Sequence, residues 1–456
     1  MIWISFSILI CTIAISVSLL RSSRGDALGI PLVAIGTFLF LYVIQPLQLI
    51  RTDSMSLFLS DWQVSKALLV PALMLACFMW GWLQPRRLKL PQNPTWDPRL
   101  LWNYGFVAAS IGLVLYLIFL ERSGGIVHSF SQVHGTAMAY NDNTAYIYDG
   151  PWLMLSGSIM MILCIPKPTL RNWKSLAPYA FLGLFLVSAV LTGGRGPLFA
   201  VTTAYFIGSS IAQRKTVSFG RAARTLLPVG IGVLMMIGYR SVLHLGDQQA
   251  QQNLPTVETT FDSVASASEY DKEHDTASQE FLFHAATLDT VDQTGKLEYG
   301  VGWFVFFVVN PIPKVLWPDK VTPQWTGITW EDIKENTSIG IAPGSAPGIV
   351  ADLYARFHLF SGVFLFFLGF GLRWLFIAAR SLSSPVASVG YVMFYAVSLN
   401  MFAQGFGAIF VPLGYSMIPV VLFAWVTRES RRRAKRRQRE LMLRQFATLH
   451  GERWSS

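Results

Sequence analysis

The chain has 456 residues, of which 52% are hydrophobic and only 14% charged. A soluble globule of this size needs a polar skin that such a composition cannot supply, so soluble classes are excluded and a polytopic membrane protein is implied. The net charge of +10 is unevenly placed: Arg428 to Ser456 holds ten Arg or Lys against three Glu, while His244 to Ser345 holds fifteen Asp or Glu against five Lys.

Taken in order, apolar runs long enough to span a bilayer occur near 2–20, 28–50, 66–83, 103–120, 150–165, 176–192, 197–212, 226–243, 347–372, 385–403 and 406–427, most close to the ~20 residues a membrane requires. The first run lacks a basic start and a small-residue cleavage site, so it reads as a retained helix rather than a signal peptide. A basic tail directly after the last run reads as a cytoplasmic anchor on anionic lipid. Nucleic acid is the other partner such a tail could take, but no base-reading module accompanies it. With the tail inside, alternation puts Arg21 and Arg24, Arg86, Arg87 and Lys89, Lys167, Arg171 and Lys174, Arg214, Lys215, Arg221 and Arg224, and Arg380 on the inner side. The short outer loops hold far fewer cations. That distribution obeys the positive-inside rule and predicts about eleven spans with the amino terminus outside. The ninth run opens with polar residues from Pro347 and reads as partly re-entrant. Cys11, Cys77 and Cys164 all fall in apolar segments, so neither disulfides nor zinc are implied. No internal repeat of the inverted-repeat transporter kind is present.

Three outward regions follow from this topology. They are Glu121 to Gly150, with His128, His134 and Asp142; the tight turn Thr192-Gly-Gly-Arg-Gly-Pro197; and the acidic stretch from His244 to Ser345. A hundred polar residues between membrane segments must lie on one face as a surface loop, because buried they would strand their backbone groups. Within that stretch, Gly300 to Val309 is apolar but too short to span, and predicts an interfacial or re-entrant helix stopped by Pro311. Arg195 sits among glycines, where a bare backbone lets a ligand approach and the planar guanidinium suits two-point contact with phosphate oxygens. Arg240, at the outer rim of the eighth run, is a further candidate, since rim arginines are costly. Glu269, Asp271, Glu273, His274 and Asp275 crowd together but lack the Gly and terminal Glu of a calcium loop, and read as a solvated acidic run.

The turn Leu191-Thr-Gly-Gly-Arg-Gly-Pro-Leu198, the segment Tyr299-Gly300 leading to Asn310-Pro-Ile-Pro-Lys-Val-Leu-Trp-Pro-Asp-Lys320, and Pro347-Gly with Ala351-Asp-Leu-Tyr-Ala-Arg-Phe357 before a Gly-containing apolar helix together resemble oligosaccharide repeat-unit polymerases. These are the Wzy-type O-antigen and exopolysaccharide polymerases. The resemblance covers roughly Thr192 to Gly371. Lys314 stands where the family usually has Arg, Asp352 matches its acidic position, and Arg356 and His358 replace its usual Asn and Gly. The resemblance implies an all-α GT-C-like membrane transferase, related in architecture to O-antigen ligases. Such an enzyme joins undecaprenyl-pyrophosphate-linked oligosaccharides at the outer face of a bacterial inner membrane, with no cofactor and no metal. It implies membrane lipid as surroundings, and a Wzz-like chain-length regulator and a flippase as partners.

Under that reading Arg195, Arg240 and Arg356 would stabilise the departing pyrophosphate. An attacking sugar hydroxyl needs a general base within reach, for which Asp352, Glu280, His284 and His244 are the candidates. Lys314, Lys320, Tyr299, Tyr354, Arg356 and His244 are the expected substrate contacts. Two other readings stay open. One is a flippase for the same lipid-linked sugars, which should carry charges through mid-membrane; the other is a ligase that moves finished polymer onto lipid.

Overall fold

Hydrocarbon offers backbone amides no partner, so segments of this composition fold as helices that close their own hydrogen bonds. The computed structural model describes residues 1–22, 29–51, 54–84, 96–122, 125, 145–165, 172–191, 195–215, 276–277, 280–309, 317, 330–337, 340–341, 346–382 and 384–428. Among these, seven helical stretches are long and apolar enough to cross a membrane. This makes the chain an α-helical membrane protein.

The first four are α1 (Ile2–Arg21), α2 (Pro31–Arg51), α3 (Asp61–Leu83) and α4 (Pro98–Arg122). Three further apolar helices follow: α5 (Gly150–Leu163), α6 (Trp173–Leu191) and α7 (Arg195–Ala212). The expected run near 226–243 lies outside the described residues. From the acidic stretch come α8 (Glu280–Thr294), α9 (Val301–Val308) and α10 (Trp330–Thr337). A two-residue parallel pairing of Thr276–Ala277 with Gly340–Ile341 ties this stretch together. Helix α9 has eight residues, far too few to span, as expected for an interfacial piece.

The expected ninth span is not one helix. Its polar opening forms α11 (Gly348–Phe357), and a turn at His358–Phe360 separates that from α12 (Ser361–Arg380). The break is at His358, whose φ of 51° and ψ of −134° cannot continue a helix. Every residue of α11 from Gly348 to Arg356 is buried, so this helix fills the bundle instead of facing lipid. The chain closes with α13 (Pro385–Gln404) and α14 (Phe406–Arg428).

Lipid tails are as apolar as leucine, so helices here associate through close packing at small residues. A Cβ on Gly157 of α5 would overlap the carbonyl of Gly105 on α4. One on Gly369 of α12 would overlap the Phe78 carbonyl on α3. Outward positions such as Trp3, Leu73, Ile111, Phe367 and Val421 are apolar and exposed, a surface suited to lipid and not to water.

Helix α8 docks differently. Its first two turns, Phe281 to Leu288, are buried on all sides, and it also meets the bundle through polar contacts. Gln63 caps α3 in a capping box with Ser60, and its amide also donates to Asp289 at 2.8 Å. Within α2, a single wide turn over Phe40–Ile44 interrupts the α-helical ladder, and the residues there and just after it, Tyr42 and Gln45, meet α8. The acidic stretch is therefore not wholly a solvated loop. Its segment 280–299 is built into one end of the bundle, because Glu280, Asp289, Asp292 and Glu298 each find a bundle amide or cation.

A candidate site at the α8–α11 end of the bundle

Residues four apart share a helix face, and α11 carries one such pair, Asp352 and Arg356, while Tyr354 on its nearly opposite face meets His358 just past the helix end. On the first face, Arg356 donates from Nε to Asp352 at 2.9 Å and from a terminal nitrogen to Glu298. The second Asp352 oxygen accepts the Phe406 amide at 2.8 Å. That amide is bare because α13 ends at Gly405, whose φ of 113° and lack of a side chain let the backbone pass against the Asp352 carboxylate. Trp303 lies 5.0 Å from the guanidinium carbon, inside a cluster of Phe357, Phe364, Phe406 and Phe410. Asp352 is 1% exposed and Arg356 2%. This group is closed to solvent, with one guanidinium shared between two carboxylates.

On the other face, Tyr354 donates to Asp292 at 2.9 Å and sits 2.7 Å from Nε2 of His358. His358 is itself 3.3 Å from the same Asp292 oxygen. Lys66 reaches across from α3 to the other Asp292 oxygen, to the Leu288 carbonyl at 3.0 Å, and over the Tyr354 ring at 5.2 Å. Burial would raise the Asp292 carboxyl, but the bonds from Lys66, Tyr354 and His358 outweigh it and hold it below the ordinary carboxylate value. The Asp292 and His358 side chains each keep 40% exposure. This group is open.

A third group lies deeper. His284 donates from Nε2 to the Ala67 carbonyl at 3.2 Å, packs edge-on against Tyr42, and leaves Nδ1 buried without a partner. The Tyr42 hydroxyl is likewise buried and unpartnered. Burial pushes the His284 imidazole down to about 3; the Lys66 charge adds to this, and the nearby carbonyls of Ala67 and Pro347 only partly offset it. Glu280 is hydrogen-bonded to the Gln45 amide, whose oxygen accepts the Phe281 N–H at 3.0 Å.

The sequence-predicted residues thus divide. Asp352, Arg356, Tyr354, Tyr299, Glu280 and His284 gather where α8 meets α11. As placed, Asp352 and Arg356 are buried and bound to each other and His284 is sealed, while Glu280 is half-buried and bonded to Gln45 through one carboxylate oxygen. Tyr299 is 73% exposed, and its amide donates to the Arg356 carbonyl at 3.0 Å. Arg195 opens α7, and the next residue, Gly196, lies against Asn400, one turn before the end of α13 at Gln404. The Arg195 backbone therefore sits at the same end of the bundle as Asp352 and Gly405. Arg240, His244, Lys314, Lys320 and the acidic run 269–275 lie outside the described residues.

Sequence reading missed Lys66, Asp292, Glu298 and His358. Lys66 carried a signal, being an ammonium at the edge of an otherwise apolar span, where charges are expensive. Asp292 and Glu298 gave none, because nothing distinguishes them from the other acids of a polar stretch before the chain is folded. Among the described residues no cluster of three or more His, Cys, Asp or Glu has the arrangement of a metal site. An apolar groove along α4, lined by Phe106, Val107, Ser110, Ile111, Val114 and Leu115, holds no charged group. Comparisons of the chain with protein-family models, curated proteins and solved structures found no match.

Proposed function

We propose that the protein is a membrane glycosyltransferase of the repeat-unit polymerase kind. It would join oligosaccharides carried on a polyprenyl pyrophosphate at the outer face of a bacterial inner membrane, within about eleven spans. The observation that carries the reading is the asymmetry of the bundle. Among the described residues, Lys66, Asp292, Glu298, Asp352, Arg356 and His358, which bond one another across helices, gather where α8 meets α11, at the end of the bundle where α7 begins, whereas a flippase would ask for such a group along a path through mid-membrane. A lipid-borne substrate keeps its pyrophosphate at the membrane edge, and this end has the exposed aromatic Tyr299, the open Asp292–His358 group and the first residue of α7, Arg195.

In this reading Arg195, with Arg240, neutralises the charge that develops as the pyrophosphate leaves. Arg356 positions the site by tying α11 to Glu298 and by holding Asp352, which accepts the Phe406 amide at the start of α14. No nucleotide sugar takes part, because the activated donor arrives on lipid.

The test is surface polysaccharide from a deletion strain complemented with variants. The reading expects single capped units without the gene, and a full ladder with it. It further expects Arg195→Ala to erase the ladder, consistent with the ~10²–10³ in rate that one such donor is worth. Arg195→Lys keeps the charge but loses the planar fork, so a weak ladder is expected with unchanged protein level. A ladder that persists in the deletion strain, or wild-type length from the Lys variant, overturns the reading or the role of Arg195 respectively.

A further inference from the structure

Asp352 and His284 are buried and Glu280 is tied to Gln45 through one carboxylate oxygen, and a glycosyl transfer needs a place for the hydroxyl proton. The hydrogen-bond pattern at His358 supplies one. Tyr354 has a single proton, and it goes to Asp292 at 2.9 Å. The Tyr354 oxygen 2.7 Å from His358 Nε2 must then be an acceptor, and Asp292, 3.3 Å from the same nitrogen, can only accept while ionised. Both neighbours therefore require the proton on Nε2. In neutral imidazole that leaves Nδ1 as a bare lone pair, with no hydrogen-bond partner among the described residues, on a side chain 40% exposed.

Two further observations point to function at this place. His358 holds a φ of 51° and Tyr299 a φ of 50°, two of only four non-glycine residues with positive φ among those described. They lie on adjacent segments, since the Tyr299 amide is bonded to the Arg356 carbonyl at 3.0 Å. Backbone strain held by surrounding structure concentrates at sites that use it. The surroundings also suit a base that becomes cationic. An imidazolium at 358 would face the Asp292 carboxylate from α8, and Asp292 is kept ionised by Lys66 of α3. The remaining nearby charges, Arg356 with Asp352 and Glu298, are paired among themselves on the other face of α11, and Asp289 is bonded to Gln63.

We propose that His358 is the general base that takes the proton from the acceptor sugar hydroxyl, with Asp292, Tyr354 and Lys66 as positioning residues and Tyr299 as the exposed aromatic flanking the acceptor. This rests on the polymerase reading and deepens it. In the step, the acceptor oxygen forms a bond to the anomeric carbon of the donor. The bond from that carbon to the pyrophosphate oxygen breaks, and its electron pair leaves with the lipid pyrophosphate. The hydroxyl proton passes to Nδ1 of His358 and from there to water, to which the ring is open.

The experiment uses purified full-length protein in lipid nanodiscs with a synthetic polyprenyl-pyrophosphate-linked oligosaccharide. His358→Asn is the main variant, because Asn tolerates positive φ and has no basic nitrogen; His358→Gln is the second. Both are expected to lower kcat by ~10²–10⁴, the usual worth of a general base, with KM and thermal midpoint near wild type. Imidazole in the buffer is expected to recover part of the rate in His358→Ala. Asp292→Asn should lower kcat less and shift the acidic limb of the pH–rate profile downward, because the imidazolium loses its counter-charge. A purely structural role would move none of the rescue, the kcat–KM split or the pH limb. Wild-type turnover and pH profile in the Asn and Gln variants overturn the assignment while leaving the polymerase reading intact. A wild-type protein that makes no polymer overturns the polymerase reading and with it this one.

Discussion

The two faces of α11 hold ionic groups built from similar parts, residues four apart on or just past the helix and carboxylates supplied from outside it, yet they differ in what they can do. On the Asp352–Arg356 face both partners are buried, the carboxylate of Glu298 is a second acceptor for Arg356, and the backbone amide after α13 takes the remaining Asp352 oxygen. On the Tyr354–His358 face one carboxylate, Asp292, receives three donors, and a ring nitrogen is left over in the open. The difference teaches that burial and mutual bonding make an ionic group structural. Surplus donors and exposure leave one available for chemistry.

That contrast is breakable most forcefully on the closed face. Removing one member of a buried charge group strands the others, at ~3–5 kcal/mol. Arg356→Met should therefore lower the thermal midpoint of the detergent-extracted protein sharply or prevent its accumulation. The triple replacement Arg356→Met, Asp352→Leu, Glu298→Gln should recover much of the loss, since no charge is left unpaired. A single variant as stable as wild type would remove the structural reading of this face.

The next effect in size comes from His284, which belongs to neither face but sits beneath both. Its folded pKa, about 3, lies below the ~6.5 of an exposed imidazole. Because the folded value is depressed, its contribution is fully present above pH ~6.5 and is lost as pH falls toward 3, at about 1.4 kcal/mol per pH unit. Stability measured in detergent from pH 7 to 4 should fall in wild type and fall less steeply in His284→Gln, which has no proton to take up. Parallel curves for the two proteins would contradict a buried neutral imidazole.

The open face should give the smallest change. Partly exposed ion pairs are worth ~0–1 kcal/mol, so Lys66→Met is expected to cost about that at pH 7. Asp292 has its folded pKa lowered, so its share is present above the unfolded value of ~3.9 and vanishes as pH falls through the folded one. The gap between wild type and Lys66→Met should accordingly close below about pH 4. A gap of the size seen for Arg356→Met would erase the distinction between the two faces.

How much of this was legible in advance differs by residue. Asp352 and Arg356 were singled out as a candidate base and a candidate pyrophosphate contact, and the fold instead bonds them to each other at helical spacing. The spacing is local, so the pairing follows from the helix itself. Tyr354 and His358 have the same spacing, but His358 lies past the helix end, in a backbone conformation that its residue type does not announce. Glu280 and His284 were picked out as polar groups of an outer loop, and the fold puts them in contacts with Gln45 and Ala67, more than two hundred residues away in the chain.

The sequence by itself determined the membrane class, the helical character of the apolar runs, the basic tail and the shortness of α9, because hydropathy, length and charge act through the solvent and need no tertiary partner. The division of the run after Pro347 into a buried α11 and a separate α12, the docking of α8 onto α2, α3 and α11, and the sorting of one helix's charges into a closed and an open group were decided only by the tertiary structure. Each depends on which distant carboxylate or amide arrives beside a given side chain. A charge's solvation and partners, unlike its helical propensity, do not exist until the chain has folded around it.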